Sequence, residues 1–91
     1  MAIAKSVFLL RAIDHELRQE IMRFIHLQGR TSVTNIYTAL KLEQSVASQH
    51  LAILRKAGCV NTIRIGKQIH YSVNHSRLQE IQSIVEVFLG S

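Results

Sequence analysis

The stretch Gln44–Val73, QSVASQHLAILRKAGCVNTIRIGKQIHYSV, decides the fold, because the spacing of its apolar residues changes halfway along. Up to Lys56 the apolar positions recur at helical spacing, with Ala47, Leu51 and Leu54 on one face and Gly58 as a stop. That predicts a helix from about Glu43 to Lys56. Its outward positions are Gln44, Ser45, Ser48, Gln49, Ala52 and Arg55. Beyond Gly58 the period becomes two. Ile63-Arg64-Ile65 alternates apolar and polar, as does Gln68 to Val73, and Gly66-Lys67 between them fits a tight turn. A helix with a polar outer face is therefore expected to run into a two-stranded hairpin with a basic tip.

Upstream, Ser32 is placed to cap a short helix carrying Val33, Ile36 and Leu40, joined to the longer one around Lys41-Leu42-Glu43. Before it, Asp14 is expected to cap a helix with Leu17, Ile21, Phe24, Ile25 and Leu27 at helical spacing, closed by Gly29. Val7, Leu10 and Ile13, with Ile3 and Phe8 nearby, predict a first amphipathic helix over about 2–12. Downstream, Asn74 caps a last helix with an apolar stripe of Leu78, Ile81, Ile84, Val85, Phe88 and Leu89. The expected fold is mainly α with a small β-hairpin, a winged helix-turn-helix in the order α-α-α-α-β-β-α. No proline and no Ser/Gly-rich linker interrupts it, so residues 1–91 form one domain. Within it lie a helix-turn-helix at about 32–57, a wing at about 60–73 and terminal helices at about 2–12 and 75–89.

Charge gives this arrangement a direction. The chain carries a net +5, and residues 41–71 hold Lys41, Arg55, Lys56, Arg64 and Lys67 against Glu43 alone, a net of +4. Residues 72–91 have Arg77 against Glu80 and Glu86 and are slightly acidic. A positive middle beside an acidic tail points to one face for a polyanion and another for something else. On the Glu43–Lys56 helix, glutamine side chains suit an adenine edge and serines suit a base or a phosphate. The helix N-terminus offers free N–H groups to a phosphate, and Arg64, Lys67 and Gln68 on the hairpin lie where a wing grips the flanking backbone.

The run Ser48-Gln49-His50-Leu51-Ala52-Ile53-Leu54-Arg55-Lys56-Ala57-Gly58-Cys59-Val60 resembles the Ser-x-His-Leu-x-x-Leu-Arg-x-Ala-Gly-Leu-Val signature of the ArsR/SmtB family of bacterial repressors. The match continues through Arg64, Gly66, Lys67 and Tyr71. Asp14, Arg18, Ile21 and Ile25 loosely resemble the family's Asp-Pro-x-Arg-x-x-Ile-Leu opening, without the proline and with one extra residue before Arg18. The resemblance, over about residues 10–75, implies that the Glu43–Lys56 helix enters the major groove. It also implies that the first and last helices build a homodimer, which suits a near-palindromic operator on double-stranded DNA. It gives His50 a place near a phosphate, a half-buried structural histidine being the alternative. Arg55 is a phosphate contact or one half of a surface ion pair, and Lys67 a phosphate contact or a solvated lysine.

Many members of that family release DNA on binding metal. One sensor site is a Glu-Leu-Cys-Val-Cys-Asp-Leu motif, which aligns here with Arg30-Thr31-Ser32-Val33-Thr34-Asn35-Ile36. Ser32 and Thr34 replace both thiolates and are poor ligands for soft metals. A second site would use His75, Arg77, Phe88 and Ser91, of which only His75 is a suitable ligand. No metal and no cofactor is expected. His15, His26, His50, His70 and His75 are scattered, without the four-residue spacing of a helical metal pair. His26 stands among core-type positions and is expected to be structural, and His70 points opposite Ile69, Tyr71 and Val73. Cys59, the only cysteine, excludes an internal disulfide and stands as a buried apolar substitute for leucine.

The expected function is a DNA-binding transcriptional repressor in the cytoplasm, with no membrane partner: no apolar run approaches the roughly 18–20 residues that span a bilayer. The alternatives are a winged-helix protein-interaction module and a sensor working through Cys59 oxidation or a histidine-bound metal. Enzymatic activity is not expected, since no Gly-rich phosphate loop, nucleophile set or carboxylate pair is legible.

Overall fold

The computed structural model of the chain describes residues 11–79. Residues 11–13 are helical and lead into α1 (Glu16–Gln28), β1 (Thr31–Ser32), α2 (Val33–Ala39), α3 (Gln44–Lys56), β2 (Val60–Ile65) and β3 (Gln68–Val73), after which residues 75–79 are helical again. The terminal helices expected at 2–12 and 75–89 fall largely outside the described residues, and the dimer contact expected of them lies outside as well.

α1 starts one residue later than the sequence pattern predicts. Its N-cap is His15, not Asp14: the His15 ring Nδ1 accepts a hydrogen bond from the Leu17 N–H at 3.1 Å, doing the work usually left to a short oxygen side chain. Gly29 ends the helix at φ 77°. Ile21, Met22 and Ile25 are buried, whereas Leu27 is 73% exposed. Two residues beyond Ile25 is a step of about 200° around a helix, which carries Leu27 away from the core. His26 is exposed too, its ring set edge-on to His75 at 5.3 Å, so it is not the core histidine expected.

Ser32 serves two elements. Its backbone pairs with His70 in the sheet, while its Oγ accepts from the Asn35 N–H at 3.2 Å and caps α2. The turn from α2 to α3 is a Schellman motif: the Leu42 N–H donates to the Tyr37 carbonyl at 2.9 Å and the Lys41 N–H to the Thr38 carbonyl at 3.3 Å. Lys41 takes the left-handed position at φ 55°, where glycine is the usual occupant. α3 closes in the same way. The Cys59 N–H donates to the Leu54 carbonyl and the Gly58 N–H to the Arg55 carbonyl, with Gly58 at φ 82°. This motif brings the residue after its glycine back towards the helix, and Cys59 and Leu54 are both fully buried in one core cluster. The leucine-like role expected of Cys59 follows from that position.

The sheet has three antiparallel strands in the order β1-β3-β2, one more than the expected hairpin. Thr31 and Ser32 pair with Tyr71 and His70, a strand too short to leave a periodic signal. The hairpin runs from Val60 opposite Val73 to Ile65 opposite Gln68, around Gly66-Lys67. Gly66 has φ 62° and is followed by a residue without positive φ, the pattern of a type II′ turn. Directly paired residues share a face. Val60, Thr62, Arg64, Ile69, Tyr71 and Val73 therefore lie on one side, and Ile63, Ile65, Gln68 and His70 on the other. The two alternating apolar sets thus occupy opposite faces. Only the base of the hairpin, Val60 with Val73, is buried against Ile21 and Ile25 of α1, Ile36 of α2, and Leu51 and Leu54 of α3.

Candidate nucleic-acid interface

α3 is held by its inner face. Ala47, Leu51 and Leu54 have no exposed surface, and α1, α2 and β2 all pack against the helix. Helical geometry then leaves Gln44, Ser45, Ser48, Gln49, Ala52 and Arg55 on the outside, and every one of them is exposed. At 3.6 residues per turn, Ser45, Gln49, Ala52 and Lys56 make the stripe farthest from the core, with Gln44, Ser48 and Arg55 along one flank. The N-cap Glu43 makes no side-chain capping bond, so the first turn of α3 keeps unsatisfied N–H groups facing outward. Arg55 and Lys56 occupy the last turn.

The structure does not put all nine sequence-predicted residues on one surface. Gln44, Ser45, Ser48, Gln49 and Arg55 share the outer side of α3. Arg64, Lys67 and Gln68 are exposed on the wing, but Arg64 lies opposite Ile69 on one face while Gln68 lies opposite Ile65 on the other. Lys67 is in the turn itself. His50 stands apart from the exposed set. It is half-buried, its Nδ1 lies 3.3 Å from a guanidinium nitrogen of Arg18, and its ring lies 4.8 Å from that of His15. Burial pushes its imidazole below the ordinary histidine value, and its electrostatic interactions with His15 and with the Arg18 guanidinium push it the same way. Nothing in the local pattern signals this pairing, because residues 18 and 50 are brought together only by the packing of α1 on α3.

Other chemistry is sparse. Among the described residues no group of three His, Cys, Asp or Glu side chains is placed to hold a metal ion. Burial pushes the Cys59 thiol up to about 11, although Arg77 and Arg18 pull it the other way. No helix among the described residues is long and apolar enough to cross a membrane.

Comparison with known proteins agrees with this architecture. The family model described as "Bacterial regulatory protein, arsR family" matches residues 15–62. The transcriptional activator HlyU of Vibrio cholerae is 36% identical over 84 residues, covering 92% of this chain and 74% of HlyU. The transcriptional repressor PagR of Bacillus anthracis is 32% identical over 81 residues, covering 89% of this chain and 81% of PagR. The PagR crystal structure superposes with a TM-score of 0.77 over 97% of both chains. An ArsR-like regulator from Rhodococcus sp. RHA1 superposes at 0.86, covering 97% of this chain and 82% of that one; at 22% identity it bears on the fold alone.

Proposed function

This chain belongs to the arsR family of bacterial regulatory proteins and is a DNA-binding transcriptional regulator, and from that premise we propose that it represses transcription as a homodimer on a near-palindromic operator. The observation that carries the proposal is the division of α3 into a fully buried face and an exposed polar one. A helix locked to the core on one side presents the other as a rigid reading surface. Ser45 and Gln49, farthest out, read base edges, while Gln44, Ser48 and Arg55 on the flank meet bases or phosphates. Lys67, with Arg64 and Gln68, grips the flanking backbone from the wing. His50 stands at the rim with Nδ1 committed to Arg18, leaving its Nε2–H as the donor for a phosphate.

Two similar proteins bear on the direction of control. PagR and the arsenical resistance operon repressor of Escherichia coli, 30% identical over 74 residues, support repression, and HlyU supports activation. The family's thiolate sensor positions are unsuited to metal here, and the Ser32 hydroxyl is already engaged in capping α2. A thiol as buried and as weakly acidic as that of Cys59 does not favour a redox trigger.

The test is fluorescence anisotropy with a duplex from upstream of the protein's own gene beside a scrambled duplex, over a salt series. Selective binding with a steep salt slope is expected. Equal affinity for both duplexes, with no selectivity for any duplex recovered from a random library, overturns the reading. Transcript levels after deletion of the gene decide the direction, a rise marking a repressor and a fall an activator.

A further inference from the structure

Arg18, near the start of α1, joins three parts of the chain. Its guanidinium donates to the carbonyls of Ala12 and Arg11 at the end of the preceding helical segment, and to Nδ1 of His50 in the middle of α3. A guanidinium has only donors. Nδ1 of His50 must therefore present a lone pair, and the ring must be neutral with its proton on Nε2. His15 is oriented by a separate contact, its Nδ1 accepting the Leu17 N–H at the start of α1. The two rings pack 4.8 Å apart at 49°. Arg18 is permanently charged, and Arg11 and Lys56 line a cavity with it. Asp14 and Glu16 flank His15 along the chain, both exposed.

We infer that His15 and Arg18 are positioning residues for the DNA-reading helix, seating α3 on α1 through His50 only while the His50 imidazole is neutral. The inference rests on α3 being that helix. Protonating His50 turns its acceptor into a donor aimed at another donor, beside a fixed positive charge. That event loosens the joint between the residue 11–13 segment, α1 and α3, without touching a side chain on the outer face.

The sign of the effect follows from linkage. The folded-state value of His50 lies below the ordinary one of about 6.5. The unfolded chain therefore binds the proton more readily, and the contribution of the cluster is fully present above about 6.5 and is lost as pH falls from there through the folded-state value. DNA attraction through simple charge moves the opposite way, because added protons favour any polyanion. Operator selectivity, rather than affinity, is therefore the telling quantity.

The experiment compares wild type with the double variant His15→Asn, His50→Gln. Asparagine is a good N-cap, and a glutamine oxygen can accept from Arg18; neither side chain titrates. Thermal unfolding and the affinity ratio for a duplex selected from a random library at about pH 7.5, against its scramble, are measured there and at about pH 5.5. Wild type is expected to lose selectivity on acidification and to melt earlier. The double variant should keep its own neutral-pH ratio and show a smaller drop in melting temperature. Matching pH responses in the two proteins overturn the inference. If no duplex is selected by either protein, the DNA-reading proposal fails, and the melting comparison still decides whether the cluster acts as a proton-sensitive joint.

Discussion

α3 and the β2–β3 hairpin follow one another in the chain and both carry residues proposed to meet DNA, yet they are held in different ways. α3 is fixed by burial: three side chains on one face have no exposure, and Schellman turns stand before it and after it. The hairpin is buried only at its base, and Ile63, Ile65 and Ile69 are 48%, 44% and 39% exposed on its two faces. With little core contact to favour one face, its register is set by the turn and by pairing with β1. The helix owes its orientation to the core, and the wing owes its orientation to its backbone.

Breaking the core should therefore disturb the helix most. Leu51→Ala, which empties a fully buried site, is expected to cost about 2–5 kcal/mol of stability, measured by urea unfolding. A smaller and different loss is expected on the outer face. Gln49→Ala should cost about 1–3 kcal/mol of discrimination between operator and scramble with unchanged stability. Lys67→Ala on the wing should weaken both duplexes alike and reduce the salt slope by about one unit. Equal losses on both duplexes for Gln49→Ala would erase the distinction between a reading helix and a gripping wing.

Two substitutions sharpen the contrast at the level of backbone. Gly66→Ala has open space for its Cβ, so its only penalty is the positive φ, about 1–2 kcal/mol, read as a lowered melting temperature. Thr31, where β1 meets the hairpin, has a buried hydroxyl without a hydrogen-bond partner among the described residues. Thr31→Val keeps its shape and should raise stability by up to about 1 kcal/mol in the same assay.

The contrast also explains what was legible in the sequence. The buried face of α3 and its polar outer residues follow from helical period, because burial and period coincide there. Cys59 as a leucine substitute was legible from the resemblance and is explained by its place after Gly58. The hairpin was legible as alternation and a Gly-Lys turn, but not as two opposed apolar faces, since alternation fixes each strand alone and pairing fixes them together. β1 left no signal in two residues. Lys41 in the left-handed position was hidden because lysine is not a turn former. The seating of His50 on Arg18 and His15 depends on contacts across 32 residues or more of sequence, which no local pattern encodes.

The single thiol has a practical consequence. Cys59 is fully buried and its thiol is pushed up to about 11, so the folded chain offers almost no thiolate to a labelling reagent at neutral pH. Ala52→Cys on the helix or Lys67→Cys on the wing would then be the one site among the described residues open to a fluorophore or spin label. The native sequence can thus carry a spectroscopic probe on either surface without deleting its own cysteine. Slow reaction of Cys59 itself becomes a clock for how often the core comes open.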